Sequence, residues 1–374
     1  MNDPIPKRIE LRLRRLLIRI LGRFFRRNNT LQNNTDFNTC RFLFMRQDRI
    51  GDVLISTPLF DVLKKHYPCA ILDVLLSEKN YFVLENDPLI RRRWMYRKNL
   101  VNLFFLIKAL RNEKYDFVID LTDNPSTTST ILNLLIKAKW NIGIEKDNKF
   151  AYDIVVPMLS RSETHVINRI SQLLNPFLID PRAEKLIVKY YTSSESEKFV
   201  ESYLSQNSIF SNPIIGVNIS AGNKTRFWGI ENFQIFLNHL STEYPEYKLL
   251  LLYQPSDRQC AEMIAGSNKS VVLTPVTSSF DKFAAFVKRL SFLVTPDTAA
   301  VHLASAFKVG TVVLYVQSNK ALRIWEPYGT DYECIVTDVD DLSMIPVKQV
   351  QDAFGKLISR SKKKAEEDVQ ESET

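Results

Sequence analysis

The sequence predicts an α/β protein built from two doubly wound parallel sheets, one in each half of the chain. Short apolar runs alternate with longer amphipathic stretches along most of its length, the pattern of strand–helix–strand units. At 374 residues the chain exceeds one ordinary domain, so two cores are expected. The apolar runs also end in polar loops, where open α/β sheets bind their ligands.

The first segment, 1–36, reads as a basic amphipathic helix and a linker. Residues 1–27 hold nine Lys or Arg against Asp3 and Glu10, a net of +7. The whole chain carries +8, so the remainder is close to neutral and a nucleic-acid partner is not expected. From Lys7 to Arg27, Arg8, Arg12, Arg15, Arg19, Arg23 and Arg26 recur at helical spacing, while Ile9, Leu13, Leu16, Leu17, Ile20, Leu21 and Phe24 form another face. A basic face beside an apolar one suits a helix lying in a membrane interface. The arginines interrupt any signal-peptide core, and no stretch approaches the roughly 18 apolar residues of a membrane span.

The first domain, 37–180, is expected to begin with the strand Arg41–Met45, the loop 46–52 and a helix from about Val53 to His66. Strands follow at Ile71–Leu76, Asp116–Leu121 and Trp140–Ile144, with helices at Val101–Arg111, Ile131–Lys137 and His165–Leu174. The second, 181–358, has strands at Pro213–Ile219, Lys248–Tyr253, Ser270–Leu273, Leu290–Thr295 and Thr311–Val316. Its helices are at Glu231–Tyr244, Asp257–Gly266, Phe280–Leu290 and Ala299–Phe307, with a final helix from Val347. The charged tail 359–374 has almost no apolar residues and is expected to be disordered. Cys40, Cys69, Cys260 and Cys334 are scattered, as free thiols are, and no group of histidines or carboxylates has metal-ligand spacing.

Three loops carry candidate chemistry. Arg49-Ile-Gly-Asp52 follows the first strand; Gly51 permits a tight turn, and Asp52 is placed either to cap the next helix or to act on a ligand. Lys224-Thr-Arg-Phe-Trp228 follows the strand ending at Ile219, where a cation can meet an anion or simply be solvated. Asp297-Thr298 precede the helix Ala299–Phe307, whose N-terminal N–H groups and dipole suit a diphosphate at Thr298, Ala299 and Ala300. His302 sits one turn in, as a donor or as a packed core residue. Asp257 either meets a ribose or caps a helix.

In this order, Arg49–Asp52, Lys224–Trp228 and Asp297-Thr298 with His302 resemble the motifs of the heptosyltransferase family, from about residue 41 to about 345. That resemblance implies the GT-B type, two Rossmann-like domains facing a central cleft, an acceptor-binding first domain and a nucleotide-sugar-binding second domain whose last helix crosses back. It implies an inverting glycosyltransferase with no metal and no cofactor, in which Asp52 is the catalytic base and Arg226, or Lys224, neutralises the leaving diphosphate. Asp297 would hold donor sugar hydroxyls and His302 would brace the loop. ADP-heptose is the implied donor and a lipid-linked saccharide, such as lipopolysaccharide core, the implied acceptor. With the basic arm 7–27 this places the protein in the cytoplasm, on the inner face of the membrane. Two departures bear on donor choice: Ala299 replaces the motif glycine, and Tyr315-Val-Gln-Ser318 replaces a turn rich in glycine and proline. The rival readings are a nucleotide-sugar epimerase of the same build and a non-catalytic, membrane-anchored sugar-binding module.

Overall fold

A computed structural model describes residues 16–18, 20–25, 27–31, 34–317 and 319–372. Most of the basic arm 7–27 therefore lies outside the described residues; of it, 16–18 and 20–24 are helical. The chain divides into two compact units at Leu186/Ile187, a few residues beyond the expected boundary at 180.

The first unit is a six-stranded parallel sheet in the order β3-β2-β1-β4-β5-β6. Its strands are β1 (Arg41–Met45), β2 (Ile71–Ser77), β3 (Arg92–Tyr96), β4 (Phe117–Asp120), β5 (Trp140–Ile144) and β6 (Ile154–Val156). Central strands such as Arg41-Phe-Leu-Phe-Met45 are apolar on both faces because helices cover both sides. One face packs Leu43, Met45 and Val118 against Leu106, Ile107, Leu110, Leu132 and Ile136. The other stacks Phe42 on Phe117, with Phe177 edge-on to both. These contacts fix helices α3 (Leu100–Asn112) and α4 (Thr127–Ile136) on the sheet.

Where one helix to His66 was expected there are two, α1 (Ile50–Leu54) and α2 (Thr57–His66). Pro58 has no N–H for the carbonyl of Leu54 and its ring crowds it, so the ladder breaks there. Thr57 Oγ1 donates to that carbonyl at 2.7 Å instead. The helix expected at His165–Leu174 is α5 (Val166–Ser171), which tightens into a 3-10 turn at Gln172–Phe177.

The second unit repeats the topology as β9-β8-β7-β10-β11-β12. Its strands are β7 (Ile214–Asn218), β8 (Lys248–Leu252), β9 (Val271–Leu273), β10 (Phe292–Pro296), β11 (Gly310–Val316) and β12 (Tyr332–Thr337). The helices are α6 (Ser194–Gln206), α7 (Ile230–Glu243), α8 (Arg258–Ala265), α9 (Phe280–Lys288), α10 (Ala299–Phe307) and α11 (Val347–Ser372). Trp228, Phe233, Phe236, Phe292 and Phe354 form the centre of its larger core.

Helix α11 packs on β11, β12 and α7 through Val350, Phe354, Leu357 and Ile358. It then continues to Ser372, where a disordered tail was expected. A helix already nucleated by packing extends at little cost, and i,i+4 pairs such as Lys363–Glu367 support the extension.

Candidate active site

Both sheets reverse strand direction of progression at their first strand, between β1 and β4 and between β7 and β10. The carboxyl ends there are the switch points at which such sheets bind ligands. The first carries Arg49–Asp52, and the second carries Lys224–Trp228 and Asp297-Thr298.

In the first unit β1 ends at Met45 and the loop 46–49 leads into α1. Asp52 is the third residue of that helix, not its cap. Its Oδ2 accepts the Arg49 backbone N–H at 3.0 Å, closing the first turn. Its Oδ1 accepts from Arg46 Nη2, also at 3.0 Å. Gly51 lies within α1 and is not among the glycines of positive φ, so the tight turn expected of it is not the reason for its presence. Asp52 is 6% exposed: held on both oxygens, with a small opening to solvent.

Arg46, which the sequence reading passed over, is the centre of this arrangement. It is 1% exposed and also donates to the carbonyls of Asp52 and Leu121. Asp48 sits 3.3 Å from its Nε with a third of its side chain in solvent. Burial pushes the Asp48 carboxyl up to about 6 despite the pull of Arg46, and Asp52 adds to the rise. Below β4 a second charged group adjoins. Lys146 contacts Asp120 at 3.2 Å, Tyr152 donates to the same carboxylate at 2.6 Å, and burial lowers the Lys146 pKa. Burial opposes ionisation of Asp123, but Arg169 at 2.8 Å, Arg161 and Arg46 outweigh it and hold the carboxyl below its ordinary range.

In the second unit β7 delivers the loop 219–223 and a 3-10 turn, Lys224–Arg226. Arg226 Nη1 lies 2.6 Å from Asp297 Oδ2, with about a third of each side chain in solvent. The side chain of Lys224 is outside the described part. Trp228 is fully buried and donates to the Ile345 carbonyl at 2.9 Å, so it anchors the loop from beneath. Thr298 caps α10 by accepting the Ala300 N–H at 3.3 Å. Asn218 ties the two loops by donating to Thr295 Oγ1 at 2.9 Å. His302 is buried, its ring 6.3 Å from that of Trp325, which suits bracing and not donation from the surface. Asp257 gives its helix no side-chain cap; its carboxylate accepts from Ser220 Oγ at 2.7 Å, on the loop after β7. Thr298, Ala299 and Ala300 thus stand at the helix end beside the Arg226–Asp297 pair.

A model of glycosyltransferase family 9 (heptosyltransferase) matches residues 103–354, more than half of the chain. The chain belongs to this family. As a family 9 protein it is a glycosyltransferase. Two lipopolysaccharide heptosyltransferases 3 of Escherichia coli, one from strain K12, are 24% and 23% identical to it. The matches cover 83% and 86% of this chain and 97% and 98% of theirs. A family 9 glycosyltransferase of Veillonella parvula superposes with a TM-score of 0.73 at 20% identity, over 88% of this chain and all of that one. The ADP-heptose lipopolysaccharide heptosyltransferase II of E. coli gives 0.69 at 18%, over 86% and 99%. The two-domain, parallel-sheet fold of this family 9 transferase is therefore the GT-B type. The matched span contains Arg226, Asp297 and His302, while Arg49–Asp52 precede it.

Proposed function

We propose that the chain transfers a heptose from ADP-heptose to a lipid-linked saccharide acceptor such as lipopolysaccharide core, by a single inverting displacement without a metal ion. One observation carries this reading. Arg226 and Asp297, 71 residues apart in sequence, are held 2.6 Å apart beside the N-terminus of α10. A guanidinium, a helix end and a carboxylate in one place match a diphosphate and the sugar hydroxyls it carries.

The roles follow from the chemistry of the displacement. Asp52 takes the proton of the acceptor hydroxyl as its oxygen attacks the anomeric carbon; both its oxygens are already oriented, so a lone pair is fixed in direction. The bond from the anomeric carbon to the diphosphate oxygen breaks, and the negative charge on the leaving group falls to Arg226 and the N–H of Ala299, and to that of Ala300 where it turns from Thr298. Arg226 is partly exposed and its guanidinium meets the half-exposed Asp297, so it can turn to the incoming phosphate at modest cost. These groups supply the positive charge that a divalent cation would otherwise bring. Asp297, near the diphosphate but repelled by it, is assigned to the sugar hydroxyls. Peripheral attachment at the inner face of the membrane, through residues 7–27, would bring the enzyme to its acceptor. Among the described residues of that arm Leu16, Leu17, Ile20, Phe24 and Phe25 are exposed, and no described helix is long and apolar enough to cross a membrane.

Thermal shift with ADP and ADP-heptose tests the donor half. ADP should stabilise the wild type and ADP-heptose more so. Asp297→Ala should keep the response to ADP and lose the extra shift from the sugar. Absence of any shift at millimolar nucleotide would remove the donor assignment.

A further inference from the structure

Helix α3 offers solvent an apolar face that the roles above leave unused. Leu100, Val101, Phe104 and Phe105 are 84, 63, 66 and 61% exposed. They lie at i, i+1, i+4 and i+5 and so share one face, opposite the Leu106, Ile107 and Leu110 that enter the core. The two phenylalanine rings meet edge to face at 5.6 Å. A contiguous exposed patch of this kind marks a surface that docks on something.

Its border is basic. Lys98, Lys108 and Arg111 are exposed around it, with Arg97 beside them paired to Glu78 at 2.9 Å, and no acidic residue occurs from Leu100 to Asn112. Glu113, next in the chain, is taken by Arg91 and Arg92. Aromatic and leucine side chains rimmed by cations complement the apolar and anionic layers of a lipid interface.

The position also fits. The strands of this sheet run parallel, so the start of α3, just after β3, lies at the same end as the loop carrying Asp52 after β1. A cavity of about 410 Å³, lined by Arg97, Lys98, Leu100, Leu103 and Thr127, opens between the starts of α3 and α4. From α4, Ser129 donates to Gln47, in the loop before α1.

We propose that Leu100, Val101, Phe104 and Phe105 insert into the interfacial layer of an anionic bilayer, as a contact separate from the arm 7–27. This rests on the reading of the acceptor as lipid-linked. The inserted face sets the carboxyl end of the first sheet toward the surface from which such an acceptor projects.

The test uses full-length protein and vesicles of phosphatidylethanolamine with about a quarter phosphatidylglycerol. Phe104→Ser combined with Phe105→Ser should weaken sedimentation with these vesicles about tenfold or more. The same variant should keep the nucleotide-induced thermal shift, which shows that it folds. Relative to wild type, whose four tryptophans include the fully buried Trp228, Phe104→Trp should add water-like emission in buffer, and that added component should shift to the blue only with the anionic vesicles. Unchanged sedimentation of the double variant would overturn the proposal. So would blue emission of the component that Phe104→Trp adds over wild type in buffer, which would mean that another part of the chain covers the face. A change from dimer to monomer in the vesicle-free double variant would overturn it too, giving the face to a second copy. Loss of vesicle binding with an intact nucleotide shift tests docking alone, whereas absence of any nucleotide shift in the wild type strikes the transferase reading.

Discussion

The two sheets share one strand order, yet they treat the charges at their switch points in opposite ways. In the first unit Arg46 and Asp52 are almost wholly buried and held by each other, with one small opening at Asp52, and Asp120, Asp123, Lys146 and Arg169 are buried close by. In the second, Arg226 and Asp297 make one contact and keep a third of their side chains in water. The proposed base must point in one direction, which hydrogen bonds to both of its oxygens secure. A site for a diphosphate must instead exchange its partners as the ligand comes and goes, which an exposed pair allows. On the proposed roles, the difference is the one expected between a group that reacts and a group that receives.

The sharpest break of this comparison is Asp52→Asn. It keeps the shape but not the basicity, so transfer should fall by about 10² to 10⁴ in kcat while the ADP-heptose thermal shift stays. Equal loss of both would mean that Asp52 serves binding. Next comes the pair Arg46→Met and Arg226→Met. The first strands a buried carboxylate and should cost about 3–5 kcal/mol in urea unfolding. The second breaks a half-exposed pair and should cost about 1 kcal/mol or less, yet abolish the response to ADP. Equal stability losses would end the contrast drawn between the two units.

The smallest effect concerns Asp48. Its folded pKa is raised to about 6 from an ordinary 3.8, so the folded state binds the proton more tightly than the unfolded state. The resulting stabilisation is full below about pH 4 and is lost as pH rises through about 6. Asp48→Asn should therefore gain stability relative to wild type between pH 4.5 and 7. Because a third of the side chain is exposed, solvent screening limits the gain to about 1 kcal/mol or less. A urea midpoint difference between variant and wild type that is flat across this range would refute the assignment.

Much of the fold was legible because its signals are local. The central strands are apolar runs, whereas the break that Pro58 makes between α1 and α2 was not read. The edge strands β3, β6 and β12 escaped notice for a physical reason. The edge strands β3 and β12 are only half-buried and mix charged with apolar residues, while β6, Ile154–Val156, is apolar but only three residues long. Helix α6 was missed despite a readable signal: Ser193 caps it, Glu195 and Glu197 occupy its first turn, and Ser196, Val200 and Leu204 are buried at i, i+4 and i+8. Asp257 shows the opposite case, since a residue at a helix start looks like a cap until Ser220, 37 residues away, is found donating to it.

The sequence by itself determined the alternation that builds two parallel sheets, the loops that end their strands and a helix start at Asp297-Thr298. Each of these is set within a few residues, by periodicity, turn chemistry and the fixed geometry of a strand feeding a helix. Only the tertiary structure decided that Arg46 holds Asp52, that Arg226 meets Asp297 and that Phe104 and Phe105 face outward. Pairing across 71 residues depends on which strands become neighbours, and exposure depends on what covers a helix, and neither is written in local spacing.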